Sequence, residues 1–547
     1  MNFTAPRNAV WLRFLGYWTV VQLAYFRAWR AGFVTDFTGL AERLDTQPFW
    51  DFWNCFGFPA LEQVTHAALW ILYRSFGTEP LGWYLAFTLL HALNGWQLDR
   101  LVRALGGGLG VRRTTMLAGF AGLAFLLSPY QTETVLWKVQ FNFLASSFLI
   151  FTTLLATVRY WKTDAARHHW TAFGATLVAF FTFELALVLP FMVASIALFL
   201  PDARRMFRRI ALPQFGLLVG YFLLNRLVLG AWVGHYGAET HLNVDPPQIL
   251  GNFWRYGTKF LLFVRNWTHD WKAAQNEHLV SEPWVYVYTA AAVLLGVLFW
   301  RNYRTLAAEL RLAGLGLLLY GWSLLPVANL YYAYILHVEN DRYGYLPMAF
   351  FAVALGAVLW RAGRWVFWIG GGAYLLLSSW FLGQNVGYWQ QNAHVYNNLL
   401  ETFPEVAPTD TVYLMAFPDN YRGTPMFKNY SKGHTLVQHS LEHVAHRPAP
   451  AHVVQVTQFN METPVDSFHV SGSPRDSVHL EFAQWGNWWW RNAIGGATYT
   501  TERYKWKRDA HRSHLIFKTP PDSTRNVLLW TAGAEWRQLE GYEPRAE

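Results

Sequence analysis

Over roughly the first 385 residues, apolar positions come in long runs. Runs extending roughly from 10 to 28, 81 to 99, 114 to 128, 141 to 158, 169 to 183, 186 to 200, 212 to 230, 284 to 300, 313 to 331, 345 to 360 and 365 to 385 read as about eleven membrane-spanning helices. Two stretches between them have helical periodicity with one polar face. Leu61 to Phe76 lies in the outer loop 31–78, and QILGNFWRYGTKFLLFV follows Pro246 and Pro247 in the outer loop 232–283. Both predict helices lying at the membrane interface, with Trp254, Arg255 and Lys259 at snorkelling positions. Beyond about residue 386 the period drops to two. TVYLMAF, HVVQVTQF, SVHLEF, HLIFKT and NVLLWTAG alternate apolar and polar positions between Pro, Gly, Asp and Ser, which predicts a β-rich domain. The expected fold is therefore an α-helical polytopic membrane domain, residues 1–385, followed by a soluble β-rich domain, 386–547.

Charge sets the orientation. With a cytoplasmic N-terminus, alternate short loops carry Arg100, Arg103, Arg112 and Arg113; Arg159, Lys162 and Arg167; Arg204, Arg205, Arg208 and Arg209; Arg301, Arg304 and Arg311; and Arg361 and Arg364. This obeys the positive-inside rule and places the C-terminal domain in a periplasm or lumen. No cleavage site follows the first apolar run, which reads as a retained span. A chain 53% apolar, 18% aromatic and only 14% charged is no ordinary soluble enzyme. The net charge of +9 follows largely from topology and implies no nucleic-acid partner; membrane lipids are the surroundings. The single cysteine, Cys55, rules out an internal disulfide.

Against this sorting, Asp36, Glu133, Glu184, Glu339, Asp341 and Arg342 all fall on the outer face. Ionisable groups at membrane depth cost roughly 2.5–3.5 kcal/mol each, so their convergence from distant parts of the chain suggests a site. Glu184 stands at the tip of a hairpin of two short apolar runs, where a carboxylate needs a salt bridge, a hydrogen bond or a substrate.

Five runs occur in order: GTEPLGWYLAFTLLHALN (Gly77 to Asn94), SPYQTETVLW (Ser128 to Trp137), FELALVLP (Phe183 to Pro190), LLPVANL (Leu324 to Leu330) and DRYGYLP (Asp341 to Pro347). Together they make residues 30–385 resemble the membrane portion of the GT-C glycosyltransferases, in particular the transmembrane and tetratricopeptide-repeat O-mannosyltransferases and their bacterial relatives. The resemblance implies transfer of a sugar from a polyprenyl-phosphate carrier to a glycan, lipid or protein acceptor on the outer face. It also implies that an acid in the first outer loop is catalytic, and Asp36 in GFVTDFTG matches that position best. Asp45 and Asp51 compete for the role, and a helix-capping function is the alternative for Asp36.

The chemistry supports such an assignment. An acceptor hydroxyl attacking an anomeric carbon must lose a proton to a carboxylate, while the phosphate leaves without a general acid. A guanidinium fork suits the charge growing on that phosphate, and Arg342 is the candidate. It could instead pair with Asp341 or Glu339. Glu133 caps a turn, receives the acceptor or positions a cation; Glu184 shapes the pocket; Lys138 is a second phosphate ligand.

The chain departs from the family pattern in two places. Phe37 follows Asp36 where a second acid is common, and KVQFNF follows Trp137 where relatives carry a basic and acidic cluster. No cofactor is implied, and a divalent metal is left open. His269, Asp270, Trp271 and Lys272 read as rim residues. Trp488, Trp489 and Trp490 are either sugar-stacking or core, and sequons occur at Asn2, Asn266 and Asn429. The expected home is a bacterial inner membrane. The rival readings are a transporter or lipid-carrier flippase, which usually shows repeated halves, and a non-catalytic glycan-binding membrane protein.

Overall fold

The structure, a computed structural model, describes residues 7–54, 60–232, 245–278, 281–329, 340–407, 409–427, 436–466, 468–482, 498–508, 512–519, 521 and 526–539. Glu339, Cys55, Trp488 to Trp490, Asn2 and Asn429 lie outside them. Contacts divide the chain into two units, Met1–Trp29 with Pro48–Val386, and Arg30–Gln47 with Gly387–Glu547.

In the first unit each apolar run named above contains a helix. Among the described residues, six helices are long and apolar enough to cross a membrane: Lys138–Thr163, Ala203–Leu229, Glu282–Asn302, Ala308–Val327, Asp341–Ala362 and Arg364–Glu401. Thr114–Leu126 and Glu184–Phe199 are shorter apolar helices. The apolar window of Glu282–Asn302 is only 6% buried, with Val293, Leu294, Leu295 and Trp300 exposed, the surface of a helix that faces hydrocarbon. Other helices approach closely through small residues. A Cβ on Gly316 would lie 3.1 Å from both the Ala354 nitrogen and the Phe350 oxygen, so the helices Ala308–Leu324 and Tyr345–Ala362 meet backbone to backbone.

Both amphipathic stretches are helices, Gln63–Phe76 and Pro246–Leu262, the latter started by Pro246 and by Asp245 accepting from the Gln248 N–H. Lys259 corrects the expectation of snorkelling. It is 3% exposed and ion-paired inside the unit, because its helix presents that side to a buried carboxylate.

In the second unit, each of the five alternating segments contains a strand. Thr411–Tyr421 is the centre of one sheet, parallel to Asn526–Ala532 on one side and to His452–Gln455 and then Gln458–Met461 on the other. A strand buried on both faces explains the nearly continuous apolar run TVYLMAF. The second sheet is antiparallel, in the order Phe468–Ser473, Ser477–Phe482, Arg512–Phe517, Tyr504–Arg508, Thr498–Thr500. Val478, Leu480, Leu515 and Trp506 form its buried face.

The expected membrane domain of residues 1–385 contained Asp36, whereas the contacts assign Arg30–Gln47 to the second unit. The helix Asp36–Thr46 buries Phe37, Ala41 and Leu44 there. Its Glu42 and Asp45 pair with His439 (3.3 Å) and His443 (2.9 Å).

Candidate functional site: a buried ion-pair cluster

Two segments far apart in sequence build the cluster in the first unit. In SPYQTETVLW, Ser128 accepts from the Tyr130 N–H and Pro129 starts a short 3-10 turn, so the chain breaks before the short helix Thr132–Leu136. In NDRYG, Asn340 takes a left-handed conformation (φ 47°) and a 3-10 turn Asp341–Gly344 leads into the next helix. Breaks of this kind free backbone N–H groups, and one of them is used at once. The Arg342 N–H donates to Glu133 Oε2 (3.0 Å) while its guanidinium Nη1 pairs with Glu133 Oε1. Glu133 therefore holds Arg342 at two points, and the guanidinium is further confined by the rings of Trp137 (5.3 Å) and Tyr343 (4.7 Å). The cation that Glu133 meets is thus a side chain of the protein, Arg342.

Asp341 points elsewhere. Its carboxylate is fully enclosed and is met by Lys259 Nζ (2.7 Å) and by Arg265. The Tyr256 hydroxyl donates to the Asn340 carbonyl (2.9 Å) and the Tyr130 hydroxyl to the Lys259 carbonyl (2.8 Å), which ties the helix Pro246–Leu262 to both segments. Asp341 is thus the anchor of the turn that carries Arg342.

The five sequence runs meet around this turn. His91 and Asn94 of the first run contact the Tyr345 hydroxyl at 2.7 and 3.0 Å, and the Gln131 amide donates to the Tyr345 carbonyl at 3.5 Å. Phe183, next to Glu184, packs on Phe143 (4.7 Å between ring centres), which in turn packs on Tyr343 (6.1 Å). The fourth run is reached through Gln248 and Asn252, whose amides donate to the carbonyls of Asn329 and Ala328. Glu184 itself is half-buried at the start of a 3-10 turn.

Lys138 follows Trp137 and is completely buried. Its Nζ has no hydrogen-bond partner among the described residues and lies over the Phe87 ring, 5.4 Å from its centre. An ammonium carries three donors, so an unmatched one in a closed site is costly unless an anion enters. The described charges of the two linked segments, the helix Pro246–Leu262 and the turn after it are five cations, Lys138, Arg255, Lys259, Arg265 and Arg342, against two carboxylates, Glu133 and Asp341.

Asp36 belongs to the second unit, at the first position of its helix. It is exposed between the buried Thr35 and Phe37. Thr35 adopts φ 46°, ψ −117°, a conformation that costs a β-branched residue about 1–3 kcal/mol. The Thr35 hydroxyl donates to Asp36 Oδ1 at 3.2 Å. Strain held at one residue to display the next is a pattern of functional turns. Of the competing acids, Asp45 is engaged by His443, while Asp51 is exposed in the short helix Phe49–Trp53 of the first unit.

Of the expected rim residues, Asp270 and Trp271 are exposed whereas Lys272 is buried. The Asn266 amide donates to Gln384 and Asn385. Lys259, Arg265, His91 and Asn94 were not singled out as site residues from sequence, although HALN lies inside one of the five runs. No group of three or more His, Cys, Asp or Glu side chains is placed to hold a metal among the described residues.

No family model matches the chain, and no curated protein matches it significantly. Among solved structures, it is similar to the crystal structure of ArnT from Cupriavidus metallidurans bound to undecaprenyl phosphate, with a TM-score of 0.44 and 12% identity over 93% of this chain and 98% of that one. It is also similar to the apo ArnT structure, with a TM-score of 0.39 and 12% identity over 85% and 97%.

Proposed function

We propose that the protein is an integral membrane glycosyltransferase of the GT-C type, transferring a sugar from a polyprenyl-phosphate carrier to an acceptor on the extracytoplasmic face of a bacterial inner membrane. The observation that carries this reading is the Arg342 fork, held by Glu133 at two points, in the same segment pair as the buried Lys138 amine. A guanidinium oriented by a carboxylate and an ammonium without an acceptor suit a phosphate, whose oxygens accept from both. The ordered resemblance of five sequence runs to the GT-C transferases supplies the reaction class.

In the reaction, the acceptor oxygen forms a bond to the anomeric carbon as the bond from that carbon to the phosphate oxygen breaks. The acceptor proton passes to a carboxylate, and the bonding electrons leave with the polyprenyl phosphate. Asp36 is assigned the base role on the resemblance and on its strained, exposed presentation. Arg342 and Lys138 stabilise the charge that grows on the phosphate. Glu133 keeps the Arg342 fork in plane, and Glu184 contributes to the pocket wall.

Selective lipid retention tests the phosphate site. Purified protein should retain a polyprenyl phosphate over the corresponding polyprenol in native mass spectrometry, and Arg342→Ala should abolish the preference. Equal retention of both lipids would remove Arg342 and Lys138 from phosphate binding.

A further inference from the structure

We propose that the second unit is a positioning device for the base. Asn392, through the Asp419–Met426 turn, sets the backbone of Thr35 and so the placement of Asp36. This rests on the reading of Asp36 as general base.

The chain of contacts lies wholly within that unit. Asn392 is 1% exposed, and its amide nitrogen donates both hydrogens, to the carbonyls of Thr424 (2.9 Å) and Pro425 (3.0 Å). The Met426 N–H closes the turn on the Asp419 carbonyl (2.9 Å), with Arg422 at φ 47° and Gly423 at φ 78° making the reversal. Met426 and Phe427 are fully buried, and the Phe427 ring packs on Tyr396, one helical turn beyond Asn392 (4.8 Å between centres). The Met426 carbonyl is thereby fixed, and it accepts the Thr35 N–H at 3.1 Å.

On its other side, the Thr35 carbonyl accepts from both the N–H and the hydroxyl of Thr38, each at 2.9 Å. Held from both directions, Thr35 keeps a backbone geometry it would otherwise leave, and strain of this sort persists only where the surroundings over-determine it. At its far end the helix is tied again by Glu42 to His439 and by Asp45 to His443. The residues immediately around Asp36 thus gain their geometry from sequence some 350 to 400 positions away.

The test uses the full-length purified protein in lipid nanodiscs, with polyprenyl-phosphate-linked sugar as donor. Asp36→Asn comes first and is expected to abolish transfer. Asn392→Asp keeps the side-chain shape but removes both donated hydrogens. It is expected to lower kcat by about 10²-fold, the cost of a small misplacement of a reacting group, with KM for the donor unchanged and the acidic limb of the pH–kcat profile displaced. His443→Gln cuts an independent tether and should move the same two readouts in the same direction at unchanged melting temperature. Wild-type kcat and pH profile in both Asn392→Asp and His443→Gln, with Asp36→Asn inactive, would overturn the positioning role and leave Asp36 as base. Full activity of Asp36→Asn would overturn both.

Discussion

Replacing Lys138 by methionine sets stability against function. The substitution keeps the length of the side chain and removes an amine that is completely buried and has no acceptor among the described residues. Replacing buried charges by apolar groups of similar volume is often stabilising by about 1–4 kcal/mol. The contact with the Phe87 ring at 5.4 Å returns some of that, about 0.5–2 kcal/mol, so from the middle of the two ranges lipid-free Lys138→Met is expected to be more stable than wild type by about 1 kcal/mol. With polyprenyl phosphate the variant's advantage should shrink. At a concentration near 100 times its Kd, the lipid stabilises wild type by about 2.7 kcal/mol. A lost charge-assisted hydrogen bond weakens binding by about 1.5–3 kcal/mol, or some 10- to 100-fold, leaving about 0.4–1.4 kcal/mol of stabilisation at the same concentration. The assay is thermal unfolding of both proteins with and without the lipid, paired with sugar transfer, which should fall about 10²- to 10³-fold. A lipid-free variant less stable than wild type, or an unchanged lipid effect, would show that this amine does not wait for an anion.

Other substitutions separate the two ion pairs. Arg342→Lys keeps the charge but loses the planar fork on Glu133, and transfer should fall about 10²-fold with little change in stability. Asp341→Asn leaves Lys259 and Arg265 facing each other without their shared carboxylate, and should destabilise the protein by about 3–5 kcal/mol in thermal unfolding. Gly316→Ile drives a branched side chain into the backbone of Phe350 and Ala354, and a loss of about 1–3 kcal/mol in the same measurement is expected.

The apolar runs and the alternating strands were legible because each is a local pattern whose period follows from element geometry. Glu133, Asp341 and Arg342 were legible as candidates because charge at membrane depth is costly wherever it falls. Their partners were not. Nothing near Glu133 indicates that it meets Arg342, 209 positions on, or that Asp341 meets Lys259 and Arg265 instead. Lys259 lies on an amphipathic helix, where a basic residue beside aromatics reads the same whether it reaches the headgroups or a buried carboxylate. Thr35 and Asn392 leave no periodic trace, since one acts through a positive φ and the other through hydrogen bonds to carbonyls of a turn. The parallel pairing of Thr411–Tyr421 with three other strands was likewise hidden, because register between distant strands is a tertiary choice.

Sugar transfer is measured by presenting purified protein with a panel of polyprenyl-phosphate-linked, radiolabelled sugars and candidate acceptors, and quantifying labelled product together with released polyprenyl phosphate. Covalent transfer from at least one donor is expected, with one carrier phosphate released per sugar transferred and both signals lost in Arg342→Ala. Counterflow of the lipid-linked sugar across proteoliposomes with no covalent product from any donor would contradict it and identify a carrier in place of a transferase.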